Sequence, residues 1–143
     1  MFDYATIAKN NSLYNTLPIF NLWVAGQVMS DLVHAYGAKK VSGQEEVANH
    51  KANLIYGVLD KYPQVYRVVP DKSIRSRMNI CFRVHGGDAE KEKAFLAGAD
   101  KRMLQGLKGH RSVGGMRASN YNAVPVENVE KLAKYLEDYA TGQ

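Results

Sequence analysis

The chain has a single cysteine, Cys81, so no disulfide can close within it; a reducing compartment is the expected setting, with the cytoplasm as the default. No uninterrupted apolar run reaches membrane-spanning length. The nearest candidate, Leu17 to Val33, is broken by Asn21, Gln27, Ser30 and Asp31, so no membrane contact is expected. The first residues show no basic region leading into a short apolar core, which argues against a secretory signal. Lysine and arginine outnumber aspartate and glutamate by 19 to 14, for a net charge of +5, yet the basic residues form no long run. Nor do aromatics alternate with them as in single-strand binders, so nucleic acid is not an expected partner. A modest positive excess suits the collection of anionic small molecules instead. Internal repeats and low-complexity tracts are absent, and no metal site is expected.

What remains is an ordinary soluble composition, 45% hydrophobic and 23% charged, in 143 residues. A chain of that size buries about two thirds of its unfolded surface on folding. The informative stretch lies near the end, in Gly109-His110-Arg111-Ser112-Val113-Gly114-Gly115-Met116-Arg117-Ala118-Ser119-Asn120-Tyr121-Asn122-Ala123. Gly114 and Gly115 permit a sharp turn between Arg111 and Arg117. If Met116 to Tyr121 is extended, Arg117, Ser119 and Tyr121 share one face. A turn ahead of that strand would carry Arg111 back beside Arg117, and two guanidinium forks together suit a dianion or a pair of carboxylate-like groups. The competing reading is a pair of surface arginines on a glycine-rich hairpin.

Taken in order, Phe2 to Thr16 reads as polar and irregular, with a turn at Asn10-Asn11-Ser12. Thr16 is a candidate N-cap for a helix from about Pro18 to Tyr36, stopped by Gly37. Ile19, Phe20, Leu22, Trp23, Val24, Val28, Met29, Leu32 and Val33 cover nearly its whole circumference, so this helix expects cover on every side, from another subunit or an absent domain. Ser42 with Glu45 reads as a capping box for a second helix. Val47, Lys51, Leu54, Ile55, Val58, Leu59 and Tyr62 form its stripe, and Pro63 stops it. Strands are expected at Val65–Val69 and Met78–Val84, a helix capped by Asp88 to about Arg102, a short strand at Met103–Leu107, the strand from Met116, and a last helix opened by Pro125. The order α-α-β-β-α-β-β-α describes an α/β chain of the α+β kind. Connecting segment and helix occupy 1–40, and a small domain over 41–143 packs helices on a largely antiparallel sheet.

The run from Gly109 to Ala123 resembles the C-terminal signature of phosphoserine aminotransferases, pyridoxal-phosphate-dependent enzymes of class V. Asn-Asn-Ser-Leu-Tyr-Asn-Thr ahead of the first helix, and Arg75-Ser76-Arg77-Met78-Asn79 ahead of the second strand, are similar to that family as well; Leu17-Pro18 stands where the family usually has two prolines. The resemblance implies the C-terminal part of a pyridoxal-phosphate-dependent transferase fold acting as a homodimer. It implies that Asn15 and Thr16 contact the cofactor phosphate of the neighbouring subunit, or cap the helix, or both. It further implies that His110, Arg111 and Arg117 bind the carboxylate and phosphate of the substrate. The implied reaction passes an amino group between glutamate and 3-phosphohydroxypyruvate, giving phosphoserine and 2-oxoglutarate. The family's cofactor-holding lysine follows a glutamine, and no Gln-Lys pair occurs here. No catalytic residue is therefore assigned in this chain, which alone is expected to be inactive as a C-terminal piece of a longer enzyme. A rival reading is a standalone α+β module that binds an anionic metabolite without catalysis.

Overall fold

The structure, a computed structural model, describes residues 3–143. The chain divides into two compact units, the first ending at Gly43 and the second spanning Gln44–Gln143.

In the first unit, Tyr4–Lys9 forms a short helix, α1, where an irregular segment was expected. Its cap explains it: the Asp3 carboxylate accepts from the Ala5 amide at 3.0 Å and from the Thr6 hydroxyl at 2.6 Å. Asn11 and Ser12 then take left-handed backbone angles and form the expected turn. Helix α2 (Ile19–Tyr36) ends at Gly37, as its sequence predicts. Thr16 does not cap it. Pro18 holds the N-cap position with no side-chain bond, because Ile19 N–H turns back to Leu17 O at 2.9 Å and leaves Thr16 outside the first turn. Phe20, Trp23, Met29 and Val33 are all exposed on α2, with the Phe20 and Trp23 rings stacked at 6.4 Å.

Helix α3 (Lys40–Lys61) starts earlier than the Ser42–Glu45 box requires. Ser42 is thus already inside the helix, where its hydroxyl donates back to Lys39 O at 2.5 Å, while Glu45 pairs with Arg77 at 2.8 Å. Of the expected stripe, Lys51, Ile55 and Leu59 are buried and Leu54, Val58 and Tyr62 pack at the margin of the core, while Ala52 and Tyr56, outside that stripe, are buried too.

Three antiparallel strands follow in the spatial order β1 (Tyr66–Val68), β2 (Asn79–Val84), β3 (Met116–Ser119). Tyr66 pairs with Val84, Arg67 with Arg83, Cys81 with Arg117 and Phe82 with Met116. Alternation puts Ile80, Phe82, Val84, Met116 and Ala118 on the core face. The strand expected at Met103–Leu107 is not one: Met103 and Gly106 adopt left-handed angles that break extension, and only Lys108 makes a bridge, to Met116.

Helix α4 (Ala89–Lys101) is capped by Asp88, whose carboxylate accepts from Lys91 N–H at 2.9 Å, and α5 (Val126–Thr141) opens after Pro125. Phe95, Ala99, Val129, Leu132, Tyr135 and Leu136 complete the core. The Phe82 and Phe95 rings meet edge-on at 6.0 Å, and Tyr66 joins both. Burying one such ring contributes about 1.5–3 kcal/mol. The enclosed hydroxyls find acceptors, Tyr66 Oη donating to Leu136 O at 2.7 Å and Tyr135 Oη to Phe95 O at 2.5 Å. These contacts make β2 and β3 a fixed floor, whose other face is free to carry polar side chains.

Candidate functional site

The glycine-rich run doubles back on itself, as its sequence predicts. Arg117 N–H donates to Leu107 O at 2.8 Å and Gly109 N–H to Gly115 O at 2.8 Å, so residues 107–109 run beside 115–117. Between them, His110 O accepts from Val113 N–H at 2.9 Å and from Gly114 N–H at 2.7 Å, closing a tight turn. Arg111 sits at its tip and Arg117 in its stem. Gly114 and Gly115 both have φ near +70°. A Cβ on Gly115 would also lie 2.9 Å from Arg83 Cδ and 3.0 Å from Phe82 O, so the turn needs glycine for conformation and for space.

His110 is exposed, and its Nδ1 lies 2.6 Å from Ser112 Oγ and 3.3 Å from Ser112 N. An amide nitrogen can only donate, so Nδ1 is engaged within the turn, and Nε2 is the ring nitrogen with no hydrogen bond among the described residues. Arg111 is exposed and makes no hydrogen bond or ion pair among the described residues. Arg117 is half-buried, and its Nε is enclosed without a partner. It lines a cavity of about 650 Å³ with Leu104, Leu107, Ser119, Asn120 and Leu132. His110 and Arg111 are not part of that lining. The run thus brings the two arginines onto one hairpin, with Arg111 in solvent and Arg117 against the cavity.

Ion pairing divides the arginines into two groups. Arg75 is held by Asp60 at 2.7 Å, Arg77 by Glu45 at 2.8 Å, Arg102 by Asp138 at 3.6 Å and Arg83 by Glu92 at 3.8 Å. Arg67, Arg111 and Arg117 have no carboxylate partner among the described residues. The Arg75 pair shows what pairing does: its guanidinium holds the Asp60 carboxyl below the ordinary range. The sheet face opposite the core carries Arg67, Arg83 and Arg117 on successive strands and no acid from the strands themselves. Arg67 and Arg83 stand directly opposite, an arrangement that repels unless an anion or acid offsets it.

Arg83 was missed in the sequence. The signal was available, since alternation from buried Ile80, Phe82 and Val84 puts Cys81 and Arg83 on the face of Arg117. Asn15 and Thr16, in the first unit, are exposed, with side chains that bond to nothing among the described residues. They precede a helix N-terminus that no side chain caps. Among the described residues no group of His, Cys, Asp and Glu is placed to hold a metal ion, and no helix is long and apolar enough to cross a membrane.

Known proteins resemble this chain along nearly all of it. It is 42% identical over 139 residues to phosphoserine aminotransferase 2, chloroplastic, of Arabidopsis thaliana, covering 97% of this chain and 32% of that protein. The solved structure of phosphoserine aminotransferase from Bacillus circulans subsp. alkalophilus superposes with a TM-score of 0.86 at 41% identity, over 97% of this chain and 37% of that one. A pyridoxal-phosphate-bound phosphoserine aminotransferase from Trichomonas vaginalis matches with a TM-score of 0.79 at 33% identity, over 94% of this chain and 37% of that one. The chain therefore spans about a third of the length of the relatives it matches. The family described as aminotransferase class V matches residues 1–132, and the chain belongs to that family.

Proposed function

We propose that this chain is the C-terminal portion of a phosphoserine aminotransferase, exchanging an amino group between glutamate and 3-phosphohydroxypyruvate with pyridoxal phosphate as cofactor. The observation that carries the reading is the hairpin itself: it brings together two of the three arginines without an internal carboxylate among the described residues, Arg111 and Arg117, the third being Arg67 on β1, while Arg75, Arg77, Arg83 and Arg102 are ion-paired. Unpaired guanidinium groups on one hairpin with a histidine suit a substrate with a carboxylate and a phosphate, the latter carrying about −1.5 to −2 charge at neutral pH.

The residues present fit the cofactor's phosphate. An amide and a hydroxyl with no internal partners, Asn15 and Thr16, stand ahead of an uncapped 18-residue helix, whose first amides and dipole favour an anion. In the homodimer that we infer, they hold the phosphate of the cofactor in the neighbouring subunit. Bound pyridoxal phosphate supplies the electron sink for amino transfer, and the lysine that anchors it lies outside these residues, which contain no Gln-Lys pair. This chain contributes binding and orientation. Arg111 and Arg117 fix the two acidic ends of the substrate, and His110 donates from Nε2, so the reacting carbon is held in one place while its charge stays neutralised.

The test is steady-state kinetics on the complete enzyme. Arg111→Ala and Arg117→Ala are each expected to raise the KM for the phosphorylated oxo acid at least about tenfold, equivalent to 1.4 kcal/mol of binding. Kinetics equal to those of the parent in both variants would refute the assignment.

A further inference from the structure

The turn that bears His110 and Arg111 has little to hold it in shape. His110, Arg111, Ser112, Val113 and Gly114 are all exposed, so no core packing fixes them. The hydrogen bonds of His110 and Ser112 stay inside the turn. Yet a site that captures a dianion needs its donors in place before the ligand arrives, because a misplacement of about 1 Å can cost on the order of a hundredfold.

One side chain reaches the turn from outside. Arg83 Nη2 donates to Val113 O at 2.5 Å, the one side-chain hydrogen bond joining residues 110–114 to the rest of the chain among the described residues. The contact is extensive as well as polar. A Cβ on Gly114 would lie 3.0 Å from Arg83 Nη1, and one on Gly115 would lie 2.9 Å from Cδ and 3.2 Å from Nε, so the side chain lies along both glycines from stem to guanidinium. Arg83 is itself well fixed. It stands on β2, the central strand, paired on both sides. Its Nη1 lies 3.8 Å from Glu92 Oε1, an atom that is buried and has no hydrogen bond of its own.

We propose that Arg83 is a positioning residue for the anion site: its guanidinium, backed by Glu92, holds the His110–Gly115 turn through Val113 O so that His110 and Arg111 are preset for the substrate's phosphate. The inference rests on the aminotransferase reading of the hairpin. Arg83 donates its Nη2 to a backbone carbonyl and faces the Glu92 carboxylate as an ion pair at 3.8 Å, so it acts on the ligand through the turn. A planar fork with donors on two sides can serve both partners at once; a lysine in its place would have one ammonium for both.

The experiment uses the complete holoenzyme and inorganic phosphate as the probe, read as a competitive inhibition constant alongside KM and kcat. Arg83→Met keeps the stem against the glycines and removes the fork. It is expected to raise the phosphate inhibition constant and the KM for the phosphorylated oxo acid about tenfold, while kcat at saturation, the cofactor absorbance spectrum and the melting temperature stay near those of the parent. Arg83→Lys is expected to fall between the two, about threefold from the parent. Arg67→Met removes the same charge from the same face without touching the turn, and it is expected to change the inhibition constant less than twofold. Equal effects of Arg67→Met and Arg83→Met would mean bulk charge and overturn the positioning role. An unchanged constant in Arg83→Met, with a raised one in Arg111→Ala, overturns the role of Arg83 alone and leaves the site standing. Unchanged constants in both Arg83→Met and Arg111→Ala overturn the site reading itself. Should Arg83→Met yield no holoenzyme, Arg83→Lys decides, and a constant equal to that of the parent there overturns the proposal.

Discussion

Lys51, with Asn120, is one of two buried polar residues in the second unit among the described residues, and Lys51→Met tests what it holds. The side chain is fully enclosed, 0% exposed, and has no carboxylate partner among the described residues. Its Nζ donates to Tyr121 O and Val124 O, each at 2.8 Å. Those carbonyls form the turn between β3, which carries Arg117, and α5. Methionine matches the length and the apolar stem but leaves Val124 O without a donor, at roughly 1–3 kcal/mol, while Tyr121 O keeps the Val124 N–H that also donates to it at 2.9 Å. An offset applies, because enclosing an ammonium is itself unfavourable; burial holds the Lys51 pKa below 10.5. The net loss expected is about 1–2 kcal/mol, felt first in the turn.

Hydrogen–deuterium exchange of the complete protein reads this directly. Peptides covering residues 120–125 should exchange about 5- to 30-fold faster in Lys51→Met, the rate equivalent of about 1–2 kcal/mol of local opening. The sign of the pH dependence follows from the lowered pKa. Between the folded value and 10.5 the unfolded chain holds more protons than the folded one, so the parent gains stability as pH rises through that window. The variant lacks that gain, and its melting deficit should be larger at pH 9.5 than at pH 7. Exchange in 120–125 within threefold of the parent would refute the assignment of Lys51 as the fastener of this turn. A deficit that shrinks with rising pH would refute the electrostatic part.

Two further outcomes are expected. Asp60→Asn removes the carboxylate that accepts from both Arg75 Nη1 and Nη2, at 2.7 and 2.9 Å. Because the Asp60 pKa is lowered mainly by that bond, its contribution is present above the ordinary value of 3.8 and is lost as pH falls through the folded one. The pair is partly exposed, so the variant should lose no more than about 1 kcal/mol at pH 7, with the difference vanishing toward pH 2 in an acid titration of unfolding. The 143-residue chain alone, mixed with pyridoxal phosphate, reduced with borohydride and mapped by mass, should show no stoichiometric adduct on any one lysine. A single modified site would place the anchoring lysine inside this chain.

Periodicity made the second unit legible. Alternation in Asn79–Val84 and the stripe on α3 are one-faced patterns, and burial of one face decides register. Asp88 and Pro125 marked their helix starts because a side-chain acceptor and a fixed φ act locally. Failures arose where one residue outvoted a local rule. Pro18 shifted the α2 start and left Thr16 uncapping. The early start of α3 turned Ser42 inward on its own helix. Left-handed Met103 and Gly106 broke a strand whose composition permits one. Lys51 was legible as a stripe position, but its role was not, since its acceptors lie 70 and 73 residues away in sequence. The same limit hid Arg83: its face could be read from alternation, whereas its bond to Val113 O depends on how the turn folds back.

That fold-back explains why so dense a run of glycines and cations is stable at all. A turn with two left-handed glycines and an exposed arginine at its tip gains nothing from burial and loses conformational entropy when ordered, about 1–2 kcal/mol per residue. The chain offsets this from beneath. The hydrophobic face of β2 and β3 fixes their register, and the opposite face then delivers Arg83 to Val113 O and aims Arg117 at the cavity. Lys51 reaches past the edge of the same sheet to fasten the turn after β3. Both ends of β3 are therefore tied by a cation to backbone carbonyls, and neither tie consumes Arg111 or Arg117. Leaving those two unpaired while other cations hold their backbone is the arrangement that the proposed anion-binding role predicts.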